Sequence, residues 1–366
     1  MPHRQRHHFL PLAIVLALAW SLVGCSSQPS NPAGGGTTKR IIVLTNGISP
    51  YWDACREGVL AAKLDLKLAE QSLDAVLEVN DGTPQGQIDR LRQYASQSDV
   101  AAIGISVTDA GNAAIADELR QLQKKGVVVL TLDADVDRVK FRDARKAFIG
   151  TDNLAAGREL GKAIKGLRPD GGALVTFVGR TGSQNAIDRR QGVIDGAGAT
   201  FKAVDNMGDE TDLSRARDNV RNAIINHPNL NALIGIWSYN GPAIVDVVKQ
   251  LGRRKDFTCV TFDAEPQSIE AIAKGDLDCM VVQNPYKIGY DGVRMMTALI
   301  RKDDAVVKEM FPKLGEPDGD LYDTGLKLVV PNEGSPLKGD VFSQKTEFLT
   351  LKQFQDWLAK LNLKGS

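Results

Sequence analysis

Signatures of enzyme chemistry are scarce in this sequence. It has four histidines and four cysteines in 366 residues, and His227 is the only histidine after residue 8. It contains no Gly-x-Ser-x-Gly, Gly-x-x-x-x-Gly-Lys or His-Glu-x-x-His segment, the signatures of many hydrolases, phosphate-binding loops and zinc proteases. A lone histidine has no evident nucleophile or metal partner. We therefore expect no catalytic residues, no metal site and no cofactor.

Charge imbalance and long apolar runs are also absent. The formal net charge is zero, which argues against nucleic acid as a main partner. The longest apolar run, Phe9–Trp20, has about 12 residues, too few to cross a bilayer core of about 30 Å as a helix. With 43% hydrophobic and 25% charged residues, the 366-residue sequence has the composition of a soluble chain long enough for two domains.

The amino terminus has the pattern of an export signal. Arg4 and Arg6 precede the apolar run, and Leu22-Val23-Gly24-Cys25 follows it. A basic start, a short apolar run and small residues at a cut site predict a secretory signal over residues 1–24. Leu-x-Gly-Cys resembles the bacterial lipobox, which implies that Cys25 is acylated and that the protein is anchored in the cell envelope. The alternative is a simple secretory signal with an incidental cysteine. Residues 25–39 lack apolar periodicity and predict a flexible tether.

Strands and helices alternate from Arg40 onward. Short β-branched runs begin near residues 41, 75, 100 and 127, and stretches of helical pattern separate them. This alternation predicts βαβ units with a parallel sheet and helices on both faces.

The same unit occurs twice. Ala102–Ser106 is echoed by Leu233–Ser238, and Val129–Ala134 is echoed by Cys259–Ala264, at intervals of nearly equal length. The repeat predicts two similar Rossmann-like lobes of roughly 130 residues each. Because ligands of parallel α/β sheets bind beyond the carboxyl ends of the strands, we expect a ligand cleft between the lobes.

Polar and aromatic residues at these strand ends suit a polyhydroxylated ligand. Carboxylates and amides can bond vicinal hydroxyls, and aromatic rings can cover the C–H faces of a sugar. The candidates of the first kind are Asp133, Asp263, Asn46, Asn185 and Gln283, and those of the second kind are Tyr51 and Trp52. Each of these has a plainer interpretation as a turn, capping or packing residue.

Six segments together resemble the sugar-binding proteins of ABC importers, in their ribose-binding branch. They occur in family order between Arg40 and about Pro331: Thr45–Trp52, Thr131–Asp133, Gly150–Asn153, Asn185–Gly192, Thr261–Asp263 and Val282–Pro285. The resemblance implies a monomer that binds one monosaccharide between lobes joined by three hinge strands and passes it to an ABC transporter permease. It implies a first lobe of residues 40–145 and about 285–322, and a second of 146–284 and about 323–366.

The resemblance also implies a set of ligand contacts. They comprise the seven polar and aromatic candidates given above, together with Thr45, Ser106, Arg189 and either Ser238 or Asn240. Three departures argue against naming the sugar: Ala134 stands where ribose binders have arginine, Ser106 stands where they have asparagine, and no aromatic lies near Thr211. The main alternative is a chemosensory or quorum-signal receptor for a polyol-like signal. A secreted sugar-modifying enzyme is a third interpretation.

Two further features lie outside that pattern. Cys259 and Cys279 each precede a predicted ligand residue by four positions, and in the family their strands are neighbours. They form either a disulfide or two reduced core thiols. Thr350 predicts the start of a tail helix with Phe354, Trp357, Leu358 and Leu361 on one face. We expect this face to pack against a lobe, and the alternative is a helix that binds a partner.

Overall fold

A computed structural model describes residues 38–49 and 51–366 of the chain. The predicted signal, Cys25 and most of the tether lie outside the described residues. Within the described part, none of the helices combines the length and apolarity that crossing a membrane requires.

The described residues form thirteen strands and eleven α-helices in an alternating order. The first part of the chain contains β1 Lys39–Leu44, α1 Tyr51–Asp65, β2 Leu73–Glu78, α2 Pro84–Ala95, β3 Val100–Ile105, α3 Ala113–Lys124, β4 Val128–Leu132 and β5 Phe148–Gly150. The middle part contains α4 Asn153–Leu167, β6 Gly172–Val178, α5 Gln184–Ala197, β7 Phe201–Gly208, α6 Leu213–Asn226, β8 Leu230–Gly235, α7 Asn240–Gln250, β9 Thr258–Phe262, α8 Pro266–Lys274 and β10 Cys279–Val282. The last part contains α9 Pro285–Arg301, α10 Asp304–Met310, β11 Leu321–Asp323, β12 Leu326–Val330, β13 Thr346–Thr350 and α11 Leu351–Lys360.

These strands build two sheets of matching topology. The first has the order β11-β5-β4-β3-β1-β2 and is parallel throughout; the second has the order β13-β12-β10-β9-β8-β6-β7. In the second sheet only β12 and β13 run against the others. β6 to β10 repeat the arrangement of β1 to β5, so the predicted α/β architecture of two similar lobes is confirmed.

Each sheet is covered on both faces by apolar layers. In β1, Ile41 and Val43 face one layer, whereas Ile42 and Leu44 face the other. All four side chains are fully buried, as expected for a parallel sheet with helices on both sides. The carboxyl ends of the strands are therefore the open edge of each lobe.

Three short connections cross between the lobes. They lie at residues 151–152, after β5; at 283–284, after β10; and at 324–325, between β11 and β12. Because Phe148–Gly150 belongs to the first sheet, the first crossing comes later than the boundary predicted after residue 145.

The three cysteines of the described part are free and buried. Cys279 pairs with Val260, not with Cys259. Since side chains alternate between faces along a strand, this register directs Cys259 and Cys279 to opposite sides of the sheet, where they join different apolar layers. A Cys259–Cys279 disulfide, one of the two alternatives, is wrong, because equal offsets in sequence do not give equal positions in the sheet.

The tail adds a strand and a helix to the second lobe. β13 pairs with β12, and Thr350 forms a capping box with Gln353 at the start of α11. Phe354 and Leu358 are buried in the same apolar layer as Cys259. The predicted packing of this helix against a lobe is confirmed.

Candidate functional site

The strand ends of both lobes line one cavity. Clefts between domains are preferred sites for small ligands. Nine residues named from the sequence line it: Asn46, Tyr51, Trp52, Asp133, Asn185, Arg189, Ser238, Asp263 and Gln283. Six others line it as well: Gly47, Ile48, Ser49, Thr211, Trp237 and Tyr239.

Asp133 and Asp263 occupy equivalent corners of the two lobes. Each follows the last residue of a strand, β4 or β9, and each has a left-handed backbone, with φ of 64° and 61°. Aspartate tolerates this conformation better than most residues with a side chain. The shared corner turns both carboxylates toward the cavity, and both are almost fully buried.

The Asp133 carboxylate is held by two hydroxyl donors. Tyr51 Oη donates to Oδ1 over 3.1 Å, and Ser106 Oγ donates to Oδ2 over 2.9 Å. Burial raises the pKa of Asp133, while Arg189 and the two hydroxyls oppose that rise. The carboxylate keeps lone pairs for a ligand, since each oxygen can accept more than one hydrogen bond.

The Asp263 carboxylate has weaker support. Oδ1 accepts from the Gln283 backbone N–H over 3.1 Å, and Oδ2 lies 3.8 Å from Arg189 Nη1. Burial raises the pKa of Asp263 to about 7, an effect that Arg189 reduces and that Asp133 and Glu265 reinforce. A ligand that donates hydrogen bonds would favour the ionised form.

Arg189 is a buried cation with one donor nitrogen unused. Its Nε donates to Asn153 Oδ1 over 2.9 Å, its Nη1 donates to the Ile236 carbonyl over 3.0 Å, and its guanidinium lies 4.5 Å from the centre of the Phe262 ring. Nη2 has no hydrogen-bond partner among the described residues. A buried donor of this kind is costly unless an acceptor fills it, so a ligand oxygen fits here.

Aromatic rings contribute to the cavity from both lobes. Tyr51 and Trp52 meet edge to face, with ring centres 5.1 Å apart. In the second lobe Trp237 Nε1 donates to Asn185 Oδ1 over 3.3 Å, and Tyr239 Oη donates to Asp209. The expected lack of a second-lobe aromatic near Thr211 is thus compensated by Trp237 and Tyr239, which flank Ser238. Their signal in the sequence is their position on either side of Ser238, a residue named there as a candidate ligand contact.

Three residues predicted as ligand contacts do not line the cavity: Thr45, Ser106 and Asn240. Thr45 Oγ1 donates to the Gly47 carbonyl and accepts from Asn80 N–H. The Ser106 hydroxyl donates its hydrogen bond to Asp133. Asn240 accepts from Trp237 N–H and donates to Asp209. These three residues support the site without lining the cavity. Of the two alternatives in the second lobe, Ser238 lines the cavity and Asn240 does not.

The lobes touch each other around the cavity. Ser49 Oγ and Ser238 Oγ are 3.4 Å apart across the cleft, and Ser183 Oγ donates to the Thr108 carbonyl over 2.9 Å. At the crossings, Gln283 Nε2 donates to Thr151 Oγ1 over 2.9 Å. Within residues 38–49 and 51–366, no group of three His, Cys, Asp or Glu side chains is arranged to hold a metal ion.

Two similar α/β lobes, three crossings and a cavity between the lobes that buried charged side chains line define a bilobal ligand-binding protein. Residues 41–304 match the periplasmic binding protein domain, and the chain belongs to that family. Its curated relatives are substrate-binding proteins, and this chain is a binding protein rather than an enzyme.

The relatives cover most of the chain at low identity. The D-allose-binding periplasmic protein of Escherichia coli K12 is 23% identical over 278 residues, 74% of this chain and 88% of that protein. The ribose import binding protein RbsB of the same organism is 22% identical, over 86% of this chain and 98% of that protein. A solved ABC transporter solute-binding protein from Burkholderia graminis, in complex with D-arabinose, has a TM-score of 0.68 at 21% identity, covering 84% of this chain and 98% of that one.

Proposed function

We propose that this protein captures a neutral monosaccharide or polyol between its lobes and delivers it to an ABC transporter permease. The observation that carries the proposal is the pairing of two buried carboxylates, Asp133 and Asp263, with an unsatisfied guanidinium donor on Arg189 in one cavity. A polyol supplies several hydroxyl donors for the carboxylates and an oxygen acceptor for the guanidinium.

The charges favour a neutral ligand over an anionic one. A phosphate or carboxylate in this cavity would meet Asp133 and Asp263 with only Arg189 as a cation among the lining residues. Uncompensated charge is expensive in a buried site. The rings of Trp52 and Trp237 can pack against the C–H surface of a sugar. The hydroxyl groups of the sugar can form hydrogen bonds with the polar side chains of the cavity.

The relatives support the same class of ligand. Those named above are described as binding or importing D-allose and ribose, and the solved neighbour holds D-arabinose. These sugars differ in size and in hydroxyl arrangement, so the proposal extends to the class and not to one sugar.

A thermal-shift screen over pentoses, hexoses and polyols tests the ligand class. A sugar present at 100 times its Kd stabilises the folded protein by about 2.7 kcal/mol, a readily measured rise in Tm. We expect at least one neutral sugar to raise Tm in this way. A response confined to amino acids or sugar phosphates would refute the proposal.

Two alanine variants test the residues. Asp133→Ala and Asp263→Ala each remove a buried charged acceptor, which costs roughly 1.5–3 kcal/mol of binding, or more than tenfold in affinity. Asp109→Ala, on a loop outside the cavity lining, is the matched control and should bind normally. An affinity within twofold of wild type for either site variant would remove that residue from the site.

We also propose that the protein is a monomer anchored in the cell envelope only by a lipid on Cys25. The sequence Leu22-Val23-Gly24-Cys25 supports the anchor, and the periplasmic relatives support the location. Cys25→Ser should move the protein from the membrane fraction to the soluble envelope fraction without changing its ligand affinity. Retention of this variant on membranes after a carbonate wash would contradict lipidation at Cys25.

A further inference from the structure

Residues 362–366 return to a corner of the second lobe beside the ligand cavity. After α11, residues Asn362–Ser366, here called the tail segment, reach the corner of the second lobe that carries Asp263. Ala264 N–H donates to the Ser366 carbonyl over 2.6 Å, and Ser366 N–H donates to the Ala264 carbonyl over 3.1 Å. Ser366 is buried, with 3% of its surface exposed. Both backbone polar groups of Ala264 therefore bond to one residue of the tail segment.

The first lobe supports its equivalent corner in another way. There the Ala134 carbonyl accepts from Val107 N–H over 3.1 Å, and Val107 directly follows Ser106 on the neighbouring strand end. Ile105 pairs with Thr131 and Gly235 pairs with Thr261, so the position that matches Val107 in the second lobe is Trp237. The Trp237 N–H donates to Asn240 Oδ1 instead of to the corner. Ser366 supplies the N–H that Val107 supplies in the first lobe, so a segment from outside the repeated unit takes over a contact that the first lobe makes internally.

The position of this corner matters because its three residues, Asp263, Ala264 and Glu265, serve both the ligand cavity and a contact between the lobes. Asp263 has a left-handed backbone and a buried carboxylate in the cavity. Glu265 accepts from Ser238 Oγ over 2.7 Å, and Ser238 in turn meets Ser49 of the other lobe. Ala264 is the residue between them. A shift of Ala264 would therefore move a proposed ligand contact and a contact between the lobes together.

The tail segment also lies at the rim of the cleft. With Ala264–Pro266 it lines a groove whose other wall is α1 of the first lobe, including Asp53 and Glu57. Tyr51 lines both this groove and the ligand cavity. The segment is thus next to the cavity and to both lobes.

We propose that the tail segment is part of the binding site, and that Ser366 is a positioning residue that holds Asp263 in the orientation needed for the ligand. The inference rests on the proposed contact of Asp263 with the ligand. It assigns a binding role to residues beyond 304, where the family match ends.

Two variants separate this role from general stability. One deletes residues 362–366. The other is Gly365→Ala, whose new Cβ would lie 2.4 Å from the Ala264 carbonyl oxygen and would force the paired backbones apart. Gly111→Ala is the matched control, because its Cβ meets nothing closer than Asp109 Oδ1 at 3.5 Å.

The binding measurement uses calorimetric titration with D-allose, D-ribose and D-arabinose. For each of these sugars that binds the wild type, both tail variants should raise Kd at least tenfold, while Gly111→Ala should leave it unchanged. In an Asp263→Asn background, deletion of the tail segment should raise Kd by a smaller factor than in the wild type, because part of its effect acts through that carboxylate. An equal loss in both backgrounds, or no loss in the wild-type background, would overturn the proposal.

A second measurement needs no sugar. Hydrogen exchange of the Ala264 amide should accelerate at least tenfold in both tail variants, while the amides of β9 keep their protection. Unchanged exchange at Ala264 would overturn the proposal even if sugars bind. If no sugar binds the wild type, the proposed function fails, and the exchange result alone decides whether the tail segment fixes this corner.

Discussion

The affinity of this protein for a neutral sugar should depend on pH near neutrality, because Asp263 titrates there. Burial raises the pKa of its carboxyl group to about 7, against the opposing effect of Arg189. The other titratable groups that face it are Asp133, Glu265 and Tyr51, and burial raises the pKa of each of these as well. Sugar hydroxyls donate to the ionised carboxylate, so binding should lower the pKa of Asp263 and compete with its proton.

The sign and size follow from that competition. In the ligand-free protein a raised pKa means that the stability contributed by this group is fully present below its unfolded value of about 3.8 and is lost as pH rises through about 7. The affinity for the sugar has the opposite pH dependence: it increases as pH rises, because the sugar binds to the ionised carboxylate. The ionised fraction is about 0.9 at pH 8 and about 0.1 at pH 6, so the affinity should fall about tenfold between them.

Calorimetric titration at pH 6, 7 and 8 measures this effect. At pH 7, in buffers of different ionisation enthalpy, the same titrations should report release of about half a proton for each sugar bound. Asp263→Asn is the control: it should bind more weakly at every pH and show a flat profile. A Kd that stays within twofold from pH 6 to pH 8 in the wild type, with no proton release, would refute the assignment of Asp263 as an ionised acceptor.

Three further predictions concern support for the site and for the fold. Ser106→Ala removes a 2.9 Å donor to Asp133 and should weaken sugar binding about tenfold, whereas affinity unchanged by calorimetry would contradict the supporting role of Ser106. Thr350→Ala removes the capping box of α11 and should lower the free energy of unfolding by about 1 kcal/mol, with Kd unchanged, as urea denaturation and titration would report. Alkylation of the unfolded, unreduced protein should label Cys55, Cys259 and Cys279, and a mass short of two labels would show a disulfide.

The fold could be predicted from the sequence because the same α/β unit occurs twice in it. Apolar strands with polar ends recur in the same order, and the two sheets repeat the same strand order as a result. Asp133 and Asp263 could be identified as a pair for the same reason: each ends the equivalent strand, and in each lobe the chain turns there through a left-handed residue.

Other features depend on contacts that spacing along the chain does not determine. The equal offsets of Cys259 and Cys279 predict neighbouring thiols, but the Cys259 N–H donates to the Asp278 carboxylate and the Asp278 N–H donates to the Cys259 carbonyl. Cys279, the next residue, therefore pairs with Val260. Thr45 follows β1 and Asn240 begins α7, yet hydrogen bonds within their own loops and to neighbouring loops occupy their polar atoms. The contact between Ser366 and Ala264 joins residues about 100 positions apart, and no local pattern predicts such a pairing.

The central claim is that a neutral polyol binds between the buried carboxylates of the two lobes. Calorimetric titration of the purified wild type and of Asp133→Ala with D-allose, D-ribose and D-arabinose tests it most directly. The account predicts that at least one of these sugars binds the wild type with one molecule per chain, and that Asp133→Ala binds it at least tenfold more weakly while remaining folded. Equal affinity in the two proteins, or saturable binding of a sugar phosphate or amino acid with none of the neutral sugars, would contradict it.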